Sequence, residues 1–137
     1  MQDDYLRQAQ ENQRFLVSLE KQFPNDFFDW KTTVIFYIAL HWMKAFLFVN
    51  YNGLTVESHE EIRSFYKDNQ RKRRDIMPQH IWAKYNSLNT SCNNARYKGL
   101  PINYESWKIT RQEDYNLSLQ RLEALKIYFQ SRRVNIQ

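Results

Sequence analysis

Apolar residues recur at intervals of three and four positions along much of this chain, and that spacing predicts amphipathic α-helices. The clearest stripe has intervals of four, three, four and three, and it consists of Ile81, Tyr85, Leu88, Cys92 and Ala95. Gly99 is placed to end the helix that carries it. A second stripe near the end of the chain consists of Tyr115, Leu119, Leu122, Leu125 and Phe129. Both stripes predict helices that pack one face against a core.

Prolines and capping residues predict where the first two helices begin and end. Asp3 or Asp4 is placed to cap a first helix, which ends before Pro24 because proline supplies no amide hydrogen. Asn25 or Asp26 is then placed to cap a second helix.

Two capping boxes, Ser58 with Glu61 and Thr110 with Glu113, predict the starts of a short third helix and of the last helix. The segment 100–108 has no helical period, so it is predicted to be a loop.

The second predicted helix, over about 27–50, is apolar nearly all round between Trp30 and Val49. A helix of this kind is surrounded by other helices, so it is expected at the buried centre of the fold. The fold class is therefore predicted to be all-α, an antiparallel helical bundle of four long helices plus one short helix. At 137 residues, the whole chain 1–137 is expected to form a single domain.

Composition excludes several alternative classes. The chain has 42% hydrophobic residues, which is too many for wholesale disorder. It has only two glycines and three prolines, too few for the many turns of a β-sandwich or barrel. Two separated glycines also cannot form the phosphate-binding loop of a Rossmann or P-loop domain.

The net charge of +5 is concentrated in one short run, Arg71, Lys72, Arg73 and Arg74. Without these four residues the balance of 16 cationic and 15 anionic residues is +1. The run could bind phosphates, an acidic partner or anionic lipid, or it could be a solvated loop that keeps the chain soluble.

Cys92 is the single cysteine, so no disulfide within the chain is possible and its thiol is expected to be buried and inert. No metal site and no cofactor are predicted. The most apolar run, between Lys31 and Lys44, has 12 residues, fewer than a membrane span needs. With no secretory signal at the start of the sequence, we expect a cytoplasmic protein without a membrane partner.

Three histidines and several arginines are candidates for chemistry. His41 follows Tyr37 by one helical turn, and it is either a hydrogen-bonded core histidine or part of a polar pocket. His59 and Arg63 share a face at the start of the third helix, where a phosphate or carboxylate could bind. An ordinary exposed first turn is the alternative for that pair.

Two further arginines have alternative roles. Arg74 and His80 have a spacing that would suit metal-free RNA cleavage, with the arginine stabilising the charged transition state and the histidine moving a proton. Arg96, followed by Tyr97, either caps the end of the fourth helix or lines a binding groove.

Three segments together resemble the HEPN domain, a helical module named for nucleotide-binding proteins of higher eukaryotes and prokaryotes. Residues 36–41, FYIALH, followed by KAFL at 44–47, are similar to the second helix of that family. Ser58-His59, after a turn at Gly53, and Ala95-Arg96-Tyr97 are similar to its later motifs.

The resemblance implies an antiparallel bundle, often dimeric, of a kind found in bacterial toxin–antitoxin, defence and stress systems. Many members are metal-independent ribonucleases that use an arginine and a histidine four to six residues apart. In this chain Arg74 and His80 have acceptable spacing but precede the fourth helix, whereas Arg96 is followed by no histidine.

Three functions follow as hypotheses. The first is a non-catalytic HEPN-like module that binds RNA, a nucleotide or a partner protein such as an antitoxin in a groove near Tyr37, His41, His59, Arg63 and Arg96. The second is a ribonuclease toxin that brings Arg74 and His80 of two copies together in a homodimer. The third is a helical adaptor that docks another protein through its aromatic surface.

Overall fold

The computed structural model describes residues 1–97 and 103–137, with the side chain of Tyr97 excepted. Within these ranges the chain is all-helical and contains no β-strand. Its five helices, in order, are α1 (Gln2–Gln22), α2 (Phe28–Asn50), α3 (His59–Arg71), α4 (Gln79–Tyr97) and α5 (Tyr104–Ser131). The predicted all-α class is therefore confirmed, and the predicted end of α4 at Gly99 lies outside the described residues.

The long helices α1, α2, α4 and α5 form the body of the bundle. The helices α1 and α2 run antiparallel, because Tyr5 at the start of α1 contacts Phe48 at the end of α2. Aromatic contacts at both ends show that α2 and α5 instead run parallel: Phe28 lies against Tyr115 and Phe46 against Phe129. The helix α4 packs against both α2 and α5 and runs antiparallel to them.

The helix α2 lies at the centre of this arrangement, packed against α1, α4 and α5. Most of its residues are buried, which confirms the prediction made from its nearly uniform apolar character. Two positions differ: Trp30 is 60% exposed and Tyr37 is 38% exposed, so one side of α2 reaches the surface. The claim that α2 is enclosed on all sides is wrong at these two residues.

The helix α2 is 23 residues long and apolar enough, by length and composition, to cross a membrane. This length corrects the estimate based on the 12-residue run between Lys31 and Lys44, because the helix continues past both lysines. Of the most apolar 18-residue stretch of α2, 61% is buried inside the protein. A core helix passes the same test, so the finding is weak support for a membrane span.

Several helix starts differ from the sequence-based predictions. Met1, not Asp3 or Asp4, precedes α1, and both aspartates lie in its first turn, where they still oppose the positive end of the helix dipole. Phe27 precedes α2 in a left-handed conformation, with φ of 59°, and no side chain caps that end among the described contacts. Asn25 and Asp26 therefore do not cap α2.

The last helix begins six residues earlier than its predicted capping box. Asn103 caps α5, and its side chain accepts a hydrogen bond of 2.9 Å from the backbone N–H of Ser106. Thr110 lies inside the helix, where its hydroxyl donates to the carbonyl of Ser106. Of the segment predicted as a loop, residues 104–108 are helical. In the predicted stripe of α5, Leu119 is exposed, because the helix buries Ser118 instead.

The capping box at Ser58 is confirmed in part. The N–H of Glu61 donates to the Ser58 hydroxyl over 3.2 Å, but the Glu61 carboxylate accepts from the N–H of Glu57 rather than of Ser58. The predicted turn at Gly53 is also present, with φ of 73° and an N–H that donates to the carbonyl of Phe48.

The short helix α3 is attached to the side of the bundle mainly through side chains. Ile62 and Tyr66 are its buried residues. Ring contacts join Phe65 to Tyr51 and Tyr66 to Trp82. These contacts place α3 beside α4 and create a groove between the two helices.

Candidate functional site

The groove between α3 and α4 is a cavity of about 380 Å³. Its lining residues are Arg63, Tyr66, Lys67, Gln70, Gln79, Trp82, Ala83 and Asn86. Two of them are cationic, three carry side-chain amides and none carries a carboxylate. This combination gives the groove a positive character and several hydrogen-bonding groups.

The groove has an aromatic component formed by one residue of each helix. The rings of Tyr66 and Trp82 are stacked, with centroids 4.1 Å apart and planes 8° from parallel. Tyr66 is buried, and burial raises the pKa of its phenol, with a further increase from Asp75. Trp82 is half-buried, so part of its side chain remains accessible beside Arg63 and Lys67.

The basic run begins at the end of α3, next to this groove. Arg71, Lys72, Arg73 and Arg74 are all exposed. The backbone turns sharply here: Arg73 has φ of 56°, and the N–H of Arg74 donates to the carbonyl of Asn69 over 2.8 Å. Positive charge at this end is favoured by the partial negative charge of the helix C-terminus. The run therefore extends the positive surface beyond Arg63 and Lys67.

His59 lies beneath the surface rather than at an open anion site. Its Nδ1 is 3.1 Å from the hydroxyl of Tyr85, and its ring packs edge-on against Phe36. Burial lowers the pKa of His59, and Arg63 lowers it further against the opposing effect of Glu60. A neutral ring that packs between two aromatic residues fits a structural role better than phosphate binding.

His41 is half-buried in α2, and its Nδ1 is buried without a hydrogen-bond partner among the described residues. Burial lowers its pKa from 6.5 to about 4, and nearby Lys44 contributes in the same direction. The imidazole is therefore neutral near pH 7.

Tyr37 and Arg96 come together on the other side of α4. A guanidinium nitrogen of Arg96 donates to the Tyr37 hydroxyl over 3.4 Å. Arg96 also lines a cavity of about 210 Å³ with Asp29, Trp30, Thr33 and Ala95. The candidate residues thus divide between two places, because Arg63 lines the α3–α4 groove and Arg96 lines this second cavity. The side chain of Tyr97 lies outside the described residues.

Arg74 and His80 are both exposed near the connection between α3 and α4. Among the contacts described in the structure, no hydrogen bond joins the two side chains within one copy of the chain. A role in RNA cleavage stays a prediction for this pair. Cys92 is buried, and burial raises the pKa of its thiol, as expected for an unreactive cysteine.

Sequence reasoning identified Arg63 and the basic run but missed Lys67, Trp82 and the role of Tyr66. Tyr66 is a buried residue of α3, and Trp82 follows directly after the first residue of the α4 stripe. The spacing of apolar residues in α3 and α4 indicates which side of its helix each ring occupies. It does not show that these two sides are in contact. In the described part of the chain, no group of three or more His, Cys, Asp or Glu side chains is arranged to hold a metal ion.

Comparisons with known proteins identify no relative of this chain. No protein-family model matches the chain, and neither a curated protein nor a solved structure matches it.

Proposed function

We propose that this chain is a non-catalytic helical module that binds single-stranded RNA in the groove between α3 and α4. The observation that carries the proposal is the stacked pair of Tyr66 and Trp82 in a groove that contains Arg63 and Lys67 and no carboxylate. The resemblance to HEPN domains, with their place in toxin–antitoxin and defence systems, agrees with it.

The cations supply affinity for the phosphate backbone. Arg63 and Lys67 lie one helical turn apart on the same face of α3, and the basic run continues past its C-terminus. A row of cations along one edge suits a linear polyanion better than a compact ligand. RNA binding through this edge should therefore weaken steeply as salt increases.

The aromatic residue supplies the preference for a single strand. Trp82 is backed by Tyr66 and fixed in orientation, and a base can stack on such a side chain only when it is unpaired. Amide groups of Gln70, Gln79 and Asn86 line the same cavity and can donate to or accept from base edges.

The first test changes charge without disturbing the core. The triple variant Lys72→Gln, Arg73→Gln and Arg74→Gln removes three exposed cations beside the groove. Binding of a single-stranded RNA of mixed sequence is measured by fluorescence anisotropy at several salt concentrations. If all three residues contact phosphates, the magnitude of the slope of log affinity against log salt should decrease by about 2, because each phosphate contact contributes about 0.7.

A matched control removes the same charge from a distant face. The variant Arg7→Gln, Arg14→Gln and Lys21→Gln changes three exposed cations of α1 and gives the same net charge. Its slope should stay close to that of the unchanged chain. Equal effects of the two variants would contradict a local RNA site, because they would show a response to overall charge alone.

The second test addresses stacking. Trp82→Ala should weaken RNA binding about fivefold or more, since stacking of one base contributes about 1–3 kcal/mol. The same change at Trp30, which is exposed beside the opposite end of α4, should leave RNA binding unchanged. Because Trp82 is half-buried, the unfolding free energy is measured in parallel, and binding is compared where each variant is folded. Unchanged affinity in folded Trp82→Ala protein would overturn the stacking role.

A further inference from the structure

A third cavity, of about 260 Å³, lies between the N-terminal ends of α2 and α5. Its lining residues are Asp26, Phe27, Phe28, Asp29, Trp30, Tyr104, Trp107, Lys108 and Arg111. None of them lines the α3–α4 groove. One wall comes from the start of α2 and the other from the first two turns of α5.

The N-terminus of α2 is uncapped at this cavity. The first four N–H groups of a helix have no partner within it, and in α2 these include the N–H groups of Phe28, Asp29 and Trp30. Side chains cap α3 and α5 at their starts, whereas the described contacts include no such cap on α2. Free N–H groups and the helix dipole together favour an anionic group at this end.

Arg111 provides an independent observation in the opposite wall. Only 9% of this residue is exposed, and its Nη2 lies 3.2 Å from the carboxylate of Asp114. Its Nε and Nη1 are buried and have no hydrogen-bond partner in the part of the chain that the structure describes. Unsatisfied buried donors of a charged group are costly, so an acceptor that reached them would relieve an existing deficit.

The rest of the cavity is aromatic. The rings of Tyr104 and Trp107 are stacked, with centroids 6.0 Å apart. Trp30 supplies a third large ring from the opposite wall and is 60% exposed. These rings suit a planar group that lies between α2 and α5.

The carboxylates at the cavity set its charge balance. Asp26 is paired with Lys108 at 2.8 Å, and Asp114 is paired with Arg111. Asp29, in the first turn of α2, remains as a negative charge at the rim. An anionic ligand would accept hydrogen bonds from Arg111 and from the N–H groups of α2, but the charge of Asp29 would repel it. Removing the charge of Asp29 therefore tests whether the bound ligand is an anion.

We propose that this cavity binds a small planar aromatic anion, one ring system that carries a single carboxylate or phosphate group. The volume of about 260 Å³ lies just below the range of sites for drug-sized ligands, so it suits a molecule of this size. The site does not depend on the RNA groove, since the two share no lining residue.

The experiment uses isothermal titration calorimetry of the full chain with two probes, phenyl phosphate for the phosphate class and indole-3-acetate for the carboxylate class. The matched fragments are phenol and inorganic phosphate for the first probe, and indole and acetate for the second, so each fragment lacks either the anion or the ring. At least one complete probe should bind at least tenfold more tightly than both of its parts, and the preferred probe identifies the anionic group. No binding of either complete probe would overturn the proposal.

Variants then locate the binding. Trp30→Ala and Arg111→Met should each weaken the preferred probe at least tenfold, and Trp82→Ala in the other groove should leave it unchanged. Trp30 is exposed, so its variant remains informative even if Arg111→Met proves unstable. Asp29→Asn should tighten binding about threefold or more by removing a like charge. Weaker binding of the probe to Asp29→Asn would contradict an anion bound beside Asp29, and unchanged binding in folded Trp30→Ala would place the ligand elsewhere.

Discussion

The ammonium nitrogen of Lys31 lies 3.1 Å from Oε1 of Glu20, although Lys31 is completely buried. Its Nζ also donates to the backbone carbonyl of Phe23 and lies 4.8 Å from the ring centroid of Phe28. A buried charge is tolerated only when it is paired and hydrogen-bonded. The contact between Lys31 and Glu20 therefore joins α1 to α2 near the end of α1.

Removing the carboxylate should destabilise the bundle. Glu20→Gln leaves the buried ammonium without its counter-charge and is expected to lower the unfolding free energy by about 2 kcal/mol. This is below the usual 3–5 kcal/mol for a broken buried pair, because the Glu20 side chain is 40% exposed and solvent screens part of the effect. Urea unfolding measured by circular dichroism gives the value.

A double-mutant cycle separates the ion pair from packing. Lys31→Met in the Glu20→Gln background should recover most of the loss, because it removes the buried charge. Glu11→Gln, at an exposed position of the same helix, should change stability by less than about 0.5 kcal/mol. A fully additive double variant would show that Lys31 and Glu20 do not interact.

The lowered pKa of His41 makes stability sensitive to acid. The pKa is about 4 in the folded chain and about 6.5 in the unfolded chain, so between these values the unfolded chain binds more protons. Stability should therefore be fully present above pH 6.5 and decrease as the pH falls toward 4. Urea midpoints measured at intervals over this range provide the test.

His59, whose pKa is also lowered by burial, contributes in the same direction. His41→Gln should reduce the pH dependence between pH 6.5 and 4, and His41→Gln with His59→Gln should reduce it further. An undiminished pH dependence in the double variant would show that other groups are responsible.

The start of α5 offers a test of which residue caps it. Asn103→Ala removes the acceptor for the Ser106 N–H and should cost about 1 kcal/mol. Thr110→Ala, at the position of the unused capping box, should cost less than Asn103→Ala because Thr110 lies within the helix. Thermal unfolding of the two variants measures the difference. A larger cost at Thr110 would restore the shorter helix predicted from sequence.

The ribonuclease hypothesis can be tested with a single cleavage assay. Under the proposed binding function, purified chain should bind single-stranded RNA without cleaving it in the presence of EDTA, and His80→Ala should bind as the unchanged chain does. Gel analysis of a labelled RNA after incubation measures cleavage. Cleavage that is lost in both Arg74→Ala and His80→Ala would replace the binding function with the ribonuclease one.

The helices with clear periodicity were predictable from sequence, but their ends were less so. The stripe of α4 from Ile81 to Ala95 is buried as expected, because helical spacing determines which side chains share a face. The start of α2 was predicted to within a residue but its cap was not, since the left-handed conformation of Phe27 is not one that an aromatic residue favours. Tertiary packing also buries Ser118 in place of Leu119, against the preference of either residue alone.

The candidate sites were likewise only partly predictable from the sequence. The basic run could be recognised because its charges are adjacent in sequence, and Arg63 because it lies at a helix start. The contact between Tyr66 and Trp82, and the unsatisfied nitrogens of Arg111, arise where separate helices meet. Local spacing carries no information about such meetings, so neither the α3–α4 groove nor the α2–α5 cavity could be identified from sequence.

The attachment of α3 by side chains has a consequence for motion. The helix α3 lies outside the core, so its local opening breaks few contacts. The helix α2 is packed against three neighbouring helices, so its opening breaks many more. Amide hydrogen exchange should thus be fastest in α3 among the helices and slowest in α2. A groove with one detachable wall could admit a strand from the side and close over it, without requiring the bundle to melt.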